Sequence, residues 1–278
     1  MKKWHLIIDV EKCEDCNNCF LACKDEHVGN DWPGYSASQP IHGQRWIDIS
    51  RKERGQYPLI DVAYRPLTCM HCAEAPCMKA GGDAVQRRSD GLVVIDPLKA
   101  KGKKNLVESC PYKVIWWNEE KEIPQKCTFC AHLLDQGWKA PRCVQSCPTG
   151  ALRCELLEES ELQEKIAAES LQWLRPELGT KPQVYYKNMY RFDGCFIAGS
   201  VAVEKLGLVD CVKGAAVKLL RGEEHLAETF TDAFGDFKFD ALPENSGEYG
   251  LEITHQDGRA SCRALIASSI NVGVVMII

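Results

Sequence analysis

Twelve of the sixteen cysteines stand at short, repeated spacings. Cys13, Cys16, Cys19 and Cys23 read C-x2-C-x2-C-x3-C. Cys69, Cys72 and Cys77 read C-x2-C-x4-C. Cys110 stands directly before Pro111. Cys127, Cys130, Cys143 and Cys147 read C-x2-C-x12-C-x3-C, with Pro148 next. Thiolates are soft donors, suited to iron–sulfur clusters and to zinc. A cubane needs four thiolates around one small object. Runs of this kind let one loop supply three of them, while the fourth comes from a distant run, because in two-cluster ferredoxins the last Cys of each run ligates the other cluster.

That crossover rule pairs the outer runs. Cys13, Cys16, Cys19 and Cys147 form one expected set, and Cys127, Cys130, Cys143 and Cys23 a second. The inner runs are incomplete in a patterned way. Counting back from Cys110, the three upstream ligand slots fall on Ala100, Lys103 and Leu106. The slot after Cys77 falls on Gly81. Those four would together have served a single cluster, and the survivors Cys69, Cys72, Cys77 and Cys110 are the complete set for its neighbour. Haphazard loss would have crippled two sites; this pattern deletes one and spares the other. The expectation is three [4Fe–4S] clusters. Structural zinc on paired C-x2-C motifs is the alternative, but zinc ribbons do not call for third and fourth cysteines at these offsets followed by Pro. A radical-generating cluster would leave one iron open with three Cys, whereas every set here completes to four.

The elements that must position these residues divide the chain into three segments. Residues 1–155 are dense in turn signals (Asp31-Trp-Pro-Gly34, Gly81-Gly82, Asp90-Gly91, Asp96-Pro97) and carry short apolar runs such as Leu6–Val10 and Leu92–Ile95, which read as small strands. In residues 156–194, Leu156, Leu157, Leu162, Ile166, Leu171 and Leu174 recur at helical spacing up to Pro176, which predicts an amphipathic helix. Arg175–Asp193 reads as an extended connector. Residues 195–278 alternate in Ala216–Leu220 and Phe234–Phe239 between regularly spaced turn signals, which predicts a β-sandwich or small barrel. The fold class expected is α+β: a loop-rich, repeated ferredoxin-like cluster domain followed by a small all-β domain.

Composition sets limits. With 278 residues and 45% hydrophobic content, one large or two medium domains can form cores. The net charge of −5 argues against a nucleic-acid surface. Asp9 and Glu11 cut the first apolar run too early for a signal peptide, and no stretch approaches the ~20 apolar residues of a membrane span. A cytoplasmic protein without direct membrane insertion is expected, unless a partner's export signal carries it. In that setting metal binding explains the cysteines better than disulfides do. The remaining Cys154, Cys195, Cys211 and Cys262 read as small hydrophobes. His71, between two ligands, reads as a candidate donor to cluster sulfur or as an ordinary loop residue, and His132 likewise. Trp116 and Trp117 suit core packing or a subunit interface. Lys101, Lys103 and Lys104 suit a solvated loop or a docking patch.

These residues resemble a known group. IDVEKCEDCNNCFLACKDEH (8–27), CMHCAEAPC (69–77), CPYKVIWWNEE (110–120), QKCTFCAHLLDQG (125–137) and GTKPQVYYKNMYRF (179–192) are similar to the iron–sulfur subunits of dimethyl-sulfoxide-reductase-type molybdopterin oxidoreductases. Within that group, three clusters plus an appended β domain resemble the small subunits of the pyrogallol–phloroglucinol transhydroxylase type, with resorcinol-type hydroxylases of anaerobic aromatic degradation as relatives. Residues 229–239 and 247–249 also resemble transthyretin-like and carboxypeptidase-regulatory-like β modules. The resemblance implies a heterodimer with a large catalytic subunit that carries molybdenum on two pterin guanine dinucleotides and acts on phenolic rings, this chain passing or storing electrons. No nucleophile–base pair, phosphate-binding Gly loop or H-E-x-x-H motif suggests catalysis by the chain itself. Two other roles fit the same residues: an electron-transfer subunit of a respiratory molybdopterin reductase, or a scaffold whose clusters are structural.

Overall fold

The computed structural model describes residues 1–278 and divides into two units. One comprises Met1–Ser50 and Tyr64–Asn188, the other Arg51–Ala63 and Met189–Ile278. Helices and strands are mixed along the chain, giving an α+β protein.

The first unit is anchored by a three-stranded sheet. Its central strand, Lys3–Asp9, runs antiparallel to Leu152–Leu157 and parallel to Val184–Lys187. All five residues from His5 to Asp9 are buried, as a strand covered on both faces requires. Full burial of a side chain such as Leu6, Ile7 or Ile8 stabilises by about 1.5–3 kcal/mol. Asp9 is buried but satisfied. Its Oδ1 accepts hydrogen bonds from the Glu11 N–H (3.1 Å) and from Asn188 Nδ2 (2.8 Å), fixing the turn that leads into Cys13. The helix Glu159–Glu169 lies over this sheet. A capping box between Glu158 and Glu161 starts it, and its Leu162 and Ile166, four residues apart, pack with Ile7, Leu171 and Tyr185.

Two expectations are corrected here. The helix does not begin at Leu156. Leu156 and Leu157 belong to the strand Leu152–Leu157, whose pairing with Lys3–Asp9 claims their backbone groups, and the helix ends at left-handed Ser170, before Leu171 and Leu174. Arg175–Asp193 is not an unpacked connector. It contributes the edge strand Val184–Lys187, with Val184, Tyr185 and Tyr186 all buried. Sheet pairing therefore draws residues 156–188 into the first unit, and the expected boundary at 155 does not separate the two units.

The second unit is a β-sandwich. One sheet joins Leu208–Cys211, Cys195–Lys205, Asp236–Leu242 and Ile270–Ile277; the other orders Glu224–Phe230, Ala216–Arg221, Gly247–His255 and Gly258–Ile266. Inward positions alternate with outward ones, and Val201, Val217, Leu219, Leu251 and Ile253 fill the core. Residues 51–63, the far end of the hairpin formed by Ile47–Gln56 and Leu59–Thr68, belong to this unit. Gly55 is required there. Its φ is +84°, and a Cβ would stand 2.5 Å from the Leu59 carbonyl oxygen.

Arg54, its side chain 1% exposed, pairs with Asp61 (3.0 Å) and Asp240 (2.7 Å). Burial pushes both carboxyls up, but the cations around them outweigh it: Lys238, Arg191 and Arg54 at Asp61, Arg54 and Lys238 at Asp240. Both pKa values end below the ordinary carboxylate value. Depressed carboxyls stabilise the fold above the unfolded-state pKa of about 3.9, and that stabilisation is lost as pH falls through the lower folded values. Arg54→Met should cost about 2 kcal/mol in a denaturant titration at neutral pH, because it removes charge-assisted hydrogen bonds from two partly buried carboxylates and leaves them only Lys238 and Arg191. The deficit should shrink below pH 4; a variant as stable as wild type at pH 7 would show that the cluster carries no stability.

Candidate metal centre

Each cysteine run turns on the same backbone device. Asp15, His71 and Phe129, two residues after Cys13, Cys69 and Cys127, all hold left-handed φ values, 55°, 43° and 59°. Such values are strained for side chains of this size. The strain aims the N–H back at the leading sulfur. The His71 N–H reaches Cys69 Sγ at 3.5 Å and the Phe129 N–H reaches Cys127 Sγ at 3.3 Å. The Asp15 N–H supports Cys13 in the same way, while Cys110 is supported by the N–H groups of Val114 and Tyr112, neither of them left-handed. The inner and outer runs thus share one local geometry that no residue type announces.

The thiols that act electrostatically on one another fall into three sets. Cys19 lies within electrostatic reach of Cys13, Cys16 and Cys147. Cys23 is influenced by Cys127 and Cys130, and Cys143 by Cys130, Cys127 and Cys23. Cys72 is influenced by Cys69, Cys110 and Cys77. The neighbourhoods also follow one another in order. Cys143 of the second feels Cys19 of the first, and Cys127 of the second feels Cys69 of the third more than any other thiol. Short helices carry several of the sulfurs: Asn18–His27 holds Cys19 and Cys23, Pro76–Gly81 holds Cys77 and Arg142–Gln145 holds Cys143.

Burial, and then neighbouring thiols, push these groups toward the protonated form. Cys13 and Cys77 rise to about 11, and Cys19, Cys72 and Cys130 to about 12. Such groups become thiolates only when a metal replaces the proton. Further donors stand at the sulfurs. Gln39 Nε2 approaches Cys23 Sγ at 3.7 Å, and His27 Nε2 lies 3.9 Å from Cys130 Sγ.

The third neighbourhood can be tested most directly for fit. Cys69, Cys72, Cys77 and Cys110 line one pocket with His71, Tyr112 and Lys126. His71 is 1% exposed. Its Nδ1 accepts the Val93 N–H at 3.0 Å, so Nε2 carries the proton, and that buried N–H has no partner. Burial, with Lys126 adding to it, pulls the imidazole pKa well down and keeps the ring neutral. An orphaned donor beside four sulfurs suits a sulfide-bearing cluster. A single zinc ion would bring no acceptor beyond the thiolates themselves.

The four slots that lack cysteine also meet. Leu106 is fully buried, and its Cδ2 lies 3.0 Å from where a Cβ on Gly81 would stand. Ala100 is fully buried. Lys103 Nζ donates to the Gly81 carbonyl at 3.0 Å and lies 3.6 Å from Asp83. Hydrocarbon and one ammonium thus occupy these four positions.

All sixteen cysteines are free. Cys154 Sγ donates to the Lys139 carbonyl at 3.6 Å, and Cys195 is buried in the sandwich core. His132 is buried, bonds Glu26 at 2.9 Å and stacks on Trp32. Trp116 and Trp117 are half-buried. Lys126, on which cysteine spacing is silent, proves to be fully enclosed; its place directly before the C-x2-C pair was the only signal.

A family model described as a 4Fe-4S dicluster domain matches residues 60–156. The pyrogallol hydroxytransferase small subunit of Pelobacter acidigallici is 47% identical, over 99% of both chains. An iron–sulfur subunit assigned to dimethyl sulfoxide reductase in Halobacterium salinarum is 32% identical over 68% of this chain and 80% of its own. The arsenate respiratory reductase iron–sulfur subunit of a Shewanella species is 28% identical over 65% of this chain and 94% of its own. The chain therefore belongs to the family of [4Fe–4S] electron-transfer subunits of dimethyl-sulfoxide-reductase-type molybdopterin oxidoreductases, a family that includes the pyrogallol hydroxytransferase small subunit. No helix is long and apolar enough to cross a membrane.

Proposed function

We propose that this chain binds three [4Fe–4S] clusters and serves a large subunit that carries molybdenum on two pterin guanine dinucleotides and acts on phenolic aromatics. Cys13, Cys16, Cys19 and Cys147 hold the first, Cys127, Cys130, Cys143 and Cys23 the second, and Cys69, Cys72, Cys77 and Cys110 the third. What supports this reading most is that the thiols acting electrostatically on Cys19, Cys143 and Cys72 include the other three members of each set. Identity to a pyrogallol hydroxytransferase small subunit along nearly the whole chain supports the phenolic substrate class. Bound clusters would supply one-electron transfer at potentials set by charge, hydrogen bonds and exposure. The chain's own part is to hold the thiolates, to direct N–H groups at sulfur and to shield the inner groups from water. The expected order is linear, first to second to third, ending where Leu106 and Lys103 fill the fourth position. A filled fourth position weighs against a wire running outward to a membrane quinone pool. A cytoplasmic location belongs to the same reading, supported by sixteen free cysteines.

Anaerobic purification from the native source tests this. The expected material has about twelve irons per copy of this chain, molybdenum in a co-purifying large subunit, and activity on trihydroxybenzenes. Zinc in place of iron, or an iron content fitting two or four cubanes, would overturn it. Clusters that keep one oxidation state throughout turnover would favour a scaffold.

A further inference from the structure

Lys126 is 3% exposed, and no carboxylate pairs with it. Its ammonium donates to the Val93 carbonyl and, at 3.2 Å, to the Cys127 carbonyl. The charged groups acting on it are the sulfurs of Cys69, Cys77 and Cys127, and it lines the cavity shared by Cys69, Cys72, Cys77 and Cys110. A buried cation without an anion costs several kcal/mol, so such a charge persists only where a partner of opposite sign is at hand. Carbonyl oxygens do not supply that charge. Four thiolates around an iron–sulfur core do.

We propose that Lys126 is the fixed counter-charge of the third cluster and raises its reduction potential. The inference rests on the reading that Cys69, Cys72, Cys77 and Cys110 hold a cubane. Adding one electron there makes no bond, breaks none and moves no proton; it adds one negative charge to a centre that is already anionic. The ammonium stabilises that added charge at short range in a poorly screened interior. The effect is local. Lys126 lines the third group's cavity and reaches the second through Cys127, whereas no sulfur of the first group is among its principal electrostatic partners. His71 lines the same cavity, but its Nδ1 is taken up by the Val93 N–H.

The test is a dithionite titration followed by electron paramagnetic resonance on the intact complex carrying K126M or K126R, with iron counted in each. Expected for K126M is full iron with one midpoint moved clearly to lower potential, a second moved less and the third unmoved. K126R should keep both iron and midpoints near wild type. If K126M sheds one cluster while K126R retains it, charge is still the property that matters and the proposal stands. K126M with full iron and unmoved midpoints overturns it, as does K126R failing in the same manner as K126M. A wild-type complex without three cubane signals would refute the underlying cluster assignment instead, before either variant is compared.

Discussion

Cys77→Ser and Cys110→Ser should each strip the same cluster, leaving about two-thirds of the wild-type iron and the other two signals intact. These two residues come from different runs and are separated by a hairpin and a helix, yet both line one cavity and both influence Cys72. A serine oxygen is a harder donor than sulfur and stays protonated at neutral pH, so the cube loses a corner ligand. If the crossover rule failed, Cys110 would instead share a site with the positions of Ala100, Lys103 and Leu106, which offer iron no thiolate. Cys154→Ala is the control and should leave all three signals in place, since that sulfur's contact is the Lys139 carbonyl. Loss of different signals from the two serine variants would break the proposed grouping. The measurement is iron content with low-temperature spectroscopy of reduced protein.

Leu106→Ala should destabilise the first unit by about 3–5 kcal/mol, the range for removing a fully buried Leu whose surroundings cannot collapse. Collapse is restricted because Gly81, with no side chain, is what Leu106 packs against, while Lys103 ties the Gly81 carbonyl from the other side. The helix Pro76–Gly81 also carries Cys77, so the third group should lose iron to a chelator faster in this variant. Lys103→Met removes a hydrogen bond from a partly exposed residue and should cost about 1 kcal/mol. A Leu106→Ala protein within about 1 kcal/mol of wild type in denaturant titration would mean that the fourth position is not a packed plug. The same geometry explains why refilling that position with four cysteines is not a simple exchange. A Cβ on residue 81 would sit 2.4 Å from Val85 Cγ2 even after Leu106 is shortened. Val85→Ala must accompany the four substitutions before iron content can be read as a test of a restored site.

The sulfur chemistry was legible because ligand spacing is covalent information: the offsets between cysteines are fixed by the chain itself. The β-sandwich was legible from alternation at Ala216–Leu220 and Phe234–Phe239, which period-2 burial explains. What escaped reading depends on partners distant in sequence. Val184–Lys187 shows no alternation, because both its faces are covered once it lies beside Lys3–Asp9. Leu156 and Leu157 match a helical period and a strand equally well, and pairing with the strand Lys3–Asp9 decides between them. Residues 51–63 carry no mark of belonging with the second unit; Arg54 finds Asp240 only after the chain has travelled through the first. Lys126 reads as one more charged loop residue until the fold closes over it.

The sheet order also governs when the protein can mature. Its central strand, Lys3–Asp9, is made early, and both of its neighbours are made much later, at Leu152–Leu157 and Val184–Lys187. While the ribosome is still working, that strand therefore has nothing to pair with, and Cys13 to Cys23 wait for Cys143 and Cys147. In the proposed grouping the first and second sets therefore stay open until Cys143 and Cys147 have been made, and a nascent chain stalled before residue 147 would present unpaired thiols exposed to oxidation.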